Sequence, residues 1–194
     1  YYPIYGNPNL QPEESLGWDA GFEQPLANDT LRFGATFFYN DFDNLINGFP
    51  PQNVNRAHTL GLETFASWMP LTNLTFRAAY TWLDSEDLNT GLRLERRPEH
   101  RGSVSANWRI IPQLSASVTT LFVGERADSN YSTWPATRAN MDGYTKLDLA
   151  LRWQATIHFE VYARAENLLD ERYEEVYGFP ALGRFFGVGV TARF

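Results

Sequence analysis

Apolar and polar side chains take turns along this chain with a period of two, and the pattern recurs in nine separate segments. In residues 157–167 the odd positions are Ile157, Phe159, Val161, Ala163 and Ala165, while the even ones are His158, Glu160, Tyr162, Arg164 and Glu166. Successive side chains of a strand point to opposite faces, so such a segment makes a strand with one greasy and one ionic face. Residues 145–153 repeat it, with Thr145, Leu147, Leu149, Leu151 and Trp153 opposite Lys146, Asp148, Ala150 and Arg152. Residues 185–194 set Phe186, Val188, Val190, Ala192 and Phe194 against Phe185, Gly187, Gly189, Thr191 and Arg193, so the chain is expected to end inside a strand. The earlier apolar sets are Leu16 to Phe22, Leu31 to Tyr39, Leu60 to Trp68, Leu74 to Trp82, Val104 to Trp108 and Leu114 to Phe122.

The connections carry a second alternation. Residues 25–29, 69–73, 110–113 and 154–156 are short links, and 41–58, 84–100, 125–143 and 168–184 are long ones. Outer-membrane barrels have short periplasmic turns and longer extracellular loops. No window approaches the roughly 18 consecutive apolar residues of a membrane helix, but a barrel strand needs only about 10 alternating ones. Aromatic residues make up 15% of the chain. On the apolar face they gather at segment ends: Phe22, Trp68, Trp108, Trp153 and Phe194 beside short links, and Trp18, Tyr39, Tyr80, Trp82 and Phe186 toward long ones. Two such girdles belong at the two membrane interfaces. The expected fold is all-β, an antiparallel transmembrane β-barrel with about nine strands in this chain. A soluble sandwich or lipocalin-like barrel also alternates, but its apolar face must fill a small core, which long aromatic loops on one rim only do not suit.

The formal net charge of −7 disfavours a nucleic-acid partner, which needs clustered Lys and Arg. With no cysteine there is no disulfide framework and no thiolate chemistry. His58, His100 and His158 fall on different segments, which predicts no shared metal site. Asp84, Glu86 and Asp87, and Glu171, Glu174 and Glu175, are acidic loop groups without the spacing of a calcium loop, and are read as solvated charge. No catalytic constellation stands out, so neither an enzyme nor a cofactor is expected. The charges opposite the apolar face, among them Asp19, Glu23, Lys146, Asp148, Arg152, Glu160, Arg164 and Glu166, fit a wet, polar lumen.

Three stretches carry a resemblance. Tyr5-Gly6-Asn7-Pro8-Asn9-Leu10-Gln11-Pro12-Glu13-Glu14-Ser15 resembles the NP-x-L-x-PE-x-S motif of TonB-dependent outer-membrane receptors. Asn167-Leu168-Leu169-Asp170-Glu171-Arg172-Tyr173 resembles their N-L-x-D-x-x-Y motif, and Gly183-Arg184 leads to a terminal Phe194 as theirs does. The start of the chain and Tyr173 to Gly178 look most like the cobalamin receptor group. The resemblance implies a barrel of about 22 strands with a plugged lumen, of which residues 1–194 would be the last nine strands and the plug no part. It also implies an outer-membrane location in a Gram-negative bacterium, a periplasmic C-terminus, and uptake of a scarce nutrient, cobalamin or a metal chelate such as a siderophore or haem. Energy would come from the TonB complex acting through an N-terminal part outside this chain.

Rigid aromatics give contact area at little entropy cost. Loop residues Tyr1, Tyr2, Tyr5, Tyr131, Trp134, Tyr177 and Phe179 are therefore the ligand-binding candidates, with loop packing and membrane-surface anchoring as the competing roles. Gly189, Ala192 and Phe194 resemble the C-terminal signal read by the barrel assembly machinery, and equally suit a last lipid-facing strand. Besides the receptor reading stand a passive outer-membrane channel or structural barrel, and a partial barrel held as an assembly-machinery client. The expected partners are membrane lipid, the nutrient, TonB and that machinery.

Overall fold

A computed structural model describes residues 6–47 and 50–194. Its frame is one antiparallel sheet: β1 (Glu14–Leu26), β2 (Leu31–Asn47), β3 (Gln52–Leu71), β4 (Leu74–Asp87), β6 (His100–Ile111), β7 (Leu114–Val123), β10 (Tyr144–Gln154), β11 (Phe159–Glu166) and β14 (Phe185–Ala192), in that spatial order. The short β5 (Leu92–Arg93) pairs with β4, and two hairpins stand apart, β8 (Arg126–Asn130) with β9 (Thr137–Met141) and β12 (Glu174–Val176) with β13 (Phe179–Pro180). The described residues contain no helix. All nine alternating segments are thus strands in sequence order, and the sheet is open, with β1 and β14 as its edges.

Register decides that the nine apolar sets share a face. Phe33 pairs with Ala66, Ala66 with Ala78, Ala78 with Val104, Val104 with Thr120, and Thr120 with Leu147. Directly paired residues point the same way, so this row is one line across one apolar surface. The opposite surface carries Thr75, Asn107, Ser117, Ala150, Arg164 and Gly187 in an equivalent row. Among the described residues no second layer covers the apolar face: Leu16, Val188 and Phe186 are 80%, 77% and 65% exposed. A patch this size on a water-soluble protein would drive association. A soluble sandwich would bury such a face under a second sheet.

At the long-connection end the apolar face stops at charges. Asp41 pairs with His58 and His58 with Glu86, while Arg56 binds Asp41 at 3.1 Å and Asp43 at 3.5 Å. The apolar run on β4 from Leu74 to Trp82 is nine residues, within the roughly 9–11 that a tilted strand needs to cross a bilayer. On the polar face, aromatic rings cover cross-strand glycines. A Cβ on Gly61 would stand 2.6 Å from the Phe38 ring, one on Gly34 2.7 Å from Phe65, and one on Gly189 inside the Tyr162 ring. Each glycine is the register partner of its aromatic residue, a pairing in which the ring supplies the contact that the strand glycine lacks.

The long connections differ from the expected loops. Residues 41–58 are mostly a continuation of the β2–β3 ladder, which runs to Asn47 opposite Gln52, and 125–143 and 168–184 each fold into a hairpin of their own. β11 starts at Phe159 rather than Ile157, and β14 ends at Ala192, although the Arg193 amide still donates to the His158 carbonyl at 2.9 Å.

Candidate functional site

Buried side chains are concentrated at the long-connection end, where Leu94, Ala127, Met141 and Tyr144 form a small core. At its centre the Asp128 carboxylate is 0% exposed. It accepts from Arg96 Nε at 2.8 Å, from the Ser129 amide at 2.8 Å and from the Tyr177 amide at 2.9 Å. Three separate connections therefore meet on one side chain. Burial is the largest influence on this carboxyl and pushes its pKa up, but the bonds from Tyr177, Arg96 and Ser129 together outweigh it and hold the group below the usual carboxylate range. Around it the Arg96 amide donates to the Ala127 carbonyl at 2.8 Å, Ser129 Oγ to Glu95 at 2.7 Å, and Arg138 to the Arg93 carbonyl at 2.7 Å. Arg126 donates to the Glu174 carbonyl and lies over the Tyr144 ring, which stacks on Tyr173 with centroids 4.0 Å apart.

The two internal motifs are fastenings of this assembly. Asn167 is 2% exposed at a left-handed φ of 49°; its side chain donates to the carbonyls of Glu171 and Leu182 and accepts the Glu171 amide, while its own amide donates to Asp148. Asp170 accepts the Arg184 amide at 2.9 Å. These bonds tie together the two ends of the 168–184 connection. In the first motif, Glu13 accepts the Ile46 amide, and Gln11 exchanges two hydrogen bonds with the Asn53 side chain. β1 starts only at Glu14, opposite Asp43, so these side chains cover the part of the β2–β3 arm that β1 does not reach.

The candidate ligand aromatics fall into three groups. Tyr1, Tyr2 and Tyr5 lie outside the described residues. Tyr131 and Trp134 occupy the tip between β8 and β9, and Trp134 is 78% exposed. Tyr177 and Phe179 stand in the β12–β13 hairpin, brought to the β8–β9 hairpin through the bond to Asp128. At the other end, Gly189 lies under Tyr162, Ala192 pairs with Phe159, and Phe194 touches His158 and Phe159 at ring distances of 6.4 and 6.2 Å. No sequence pattern marks Asp128, Arg96 or Arg126, whose partners lie up to 49 residues away. The acidic loop groups are engaged by protein: Asp84 pairs with Arg93, Asp87 accepts the Asn89 amide, and Glu174 accepts the Gly178 amide. No group of His, Asp and Glu able to hold a metal occurs among the described residues.

A family model described as "TonB dependent receptor-like, beta-barrel" matches residues 1–168. The chain belongs to this family. Its sheet also superposes on solved receptors: a siderophore receptor, PiuA, of Acinetobacter baumannii (TM-score 0.78, 19% identity, covering 96% of this chain and 30% of that one). The ferric enterobactin receptor PfeA of Pseudomonas aeruginosa gives a TM-score of 0.76 at 21% identity over 95% of this chain and 32% of the receptor. FpvA of Pseudomonas aeruginosa, solved with bound pyoverdines, gives 0.78 at 16% over 94% and 27%. The chain thus spans about a third or less of the receptors it matches. TonB-dependent receptor barrels are outer-membrane proteins, and in such barrels the apolar face meets lipid while the polar face lines the lumen.

Proposed function

We propose that this chain supplies the C-terminal nine strands and three ligand-facing loops of a TonB-coupled importer for a scarce nutrient chelate. The observation that supports this reading is the meeting of three long connections on Asp128, two of which carry Tyr131, Trp134, Tyr177 and Phe179. A plug and a TonB-contacting segment, contributed from outside residues 1–194, gate and energise the import. The solved receptors that share this sheet are named for siderophores and ferric chelates, which favours a ferric chelate as ligand. Cobalamin stays as the competing ligand, on the sequence of Tyr173 to Gly178. The C-terminus is periplasmic, and the edge strand β14, with Gly189, Ala192 and Phe194, is what the barrel assembly machinery reads.

Equilibrium binding to the complete receptor tests this, using ferric catecholate, ferric hydroxamate and cobalamin in parallel. Tight binding of one ligand, weakened about tenfold by Trp134→Ala or Phe179→Ala, supports it, since an aromatic contact contributes about 1 kcal/mol or more. Free diffusion of unrelated solutes through the receptor, independent of TonB, would establish the passive-channel reading instead.

A further inference from the structure

Between the 88–99 connection and the β8–β9 hairpin lies a cavity of about 530 Å³ whose wall includes Arg93, Arg97, Arg126 and Arg138 together with Glu99 and Glu125. Glu99 is already held by Arg93 and by the Trp82 indole, which keep its pKa low. Arg126 and Arg138 direct their bonds to the carbonyls of Glu174 and Arg93, and among the described residues Arg97, Arg126 and Arg138 form no ion pair. Arg126 is only 9% exposed, and its Nη1 is buried with no acceptor; the Nε of Arg93 is in the same condition. A buried cation without a counter-charge, keeping unmade hydrogen bonds, is costly unless something supplies the acceptors. A tetrahedral oxyanion has several, and guanidinium forks match it. Arg93 keeps Glu99 and Asp84 as counter-charges, so the uncompensated cations at the cavity wall are Arg126, Arg97 and Arg138.

The cavity also has an address. Arg93 is in register with Glu86 and His100 with Trp82, so both continue the lipid face just beyond the aromatic girdle, and Tyr80 meets His100 at 2.8 Å. With the orientation proposed above, headgroups of the outer leaflet lie at that depth. We propose that this cavity is a phosphate-type oxyanion site at the outer rim of the barrel, occupied by the phosphate of a membrane lipid headgroup. The same chemistry would accept a soluble phosphate, and neither depends on which nutrient the receptor imports.

Native mass spectrometry of the complete receptor in detergent tests it, with phosphatidic acid compared against diacylglycerol and inorganic phosphate added as competitor. Retention of phosphatidic acid but not diacylglycerol is expected, displaced by phosphate and reduced about tenfold by Arg126→Met or Arg97→Gln, the weight of one charge-assisted hydrogen bond. Should Arg126→Met fail to fold, the exposed Arg97→Gln carries the same decision. Binding of inorganic phosphate without phosphatidic acid keeps the oxyanion site and removes the lipid source. Wild-type receptor that binds neither, or that retains both lipids equally with both variants unchanged, overturns the proposal.

Discussion

Arg96 Nε donates to the Asp128 carboxylate at 2.8 Å, joining two long connections across 32 residues of sequence. Because the same carboxylate also takes the Tyr177 amide, the third connection is held to the other two by a single acid.

Asp128→Ala should therefore loosen all three connections while sparing the sheet. Removing one partner of a buried charged pair costs up to about 3–5 kcal/mol; with the Arg96 side chain half exposed, about 1–3 kcal/mol is expected here. Hydrogen exchange reads this out: the amides of Arg96, Ser129 and Tyr177 should exchange roughly ten- to a hundredfold faster, with β10 and β11 unchanged. Unaltered exchange at Tyr177 would refute the linkage.

The association should also be acid-sensitive. The folded Asp128 carboxyl titrates below its unfolded value, so its stabilisation is complete above the ordinary carboxylate range near 3.9 and drains away as pH falls through the lower folded value. Exchange at Tyr177, corrected for intrinsic rates, should rise on acidification in the wild type. In Asp128→Asn it should be faster at neutral pH and flat through that range. A wild type as flat as the variant would remove the charge from the account.

Gly189→Ala places a methyl group inside the Tyr162 ring, and overpacking of this kind costs about 1–3 kcal/mol. In a Tyr162→Ala background the same substitution should be close to neutral. A double-mutant cycle on denaturant unfolding in detergent measures the coupling, expected at about 0.5–3 kcal/mol. Additive effects would mean that the ring does not rest on the glycine.

Adjacent residues on β10 should differ sharply. Leu149 pairs with Val118 and Ala165 on the lipid face, whereas Ala150 pairs with Ser117 and Arg164 in the lumen. Leu149→Arg is expected to cost about 2–4 kcal/mol on folding into vesicles, and Ala150→Arg less, chiefly through its neighbour Arg164. The reverse order would invert the assignment of faces.

The strands were legible because each lies between two solvents of opposite polarity, and Leu147 and Lys146 answer to different ones. What the period could not reveal lies beyond the membrane, where neither face of an arm meets lipid. There the upper β2–β3 ladder and the Arg126–Asn130 and Thr137–Met141 pairing carry no alternation, and all three resemble loops in sequence. Asp128 was likewise invisible, one carboxylate among 23 acids, because its partners come from distant connections. The Asn167 and Asp170 motif was visible only as resemblance; its bonds supply the physical reason for the pattern.

The β2–β3 ladder keeps one register from Leu31 opposite Trp68 to Asn47 opposite Gln52, and this limits how such an arm can change length over evolution. An insertion of one residue in one strand would turn Arg56 or Asp43 to the opposite face of the arm and exchange every side chain beyond it. Length should therefore drift in steps of two, matched on both strands, or at the tip alone. Related arms are expected to vary in reach while keeping phase.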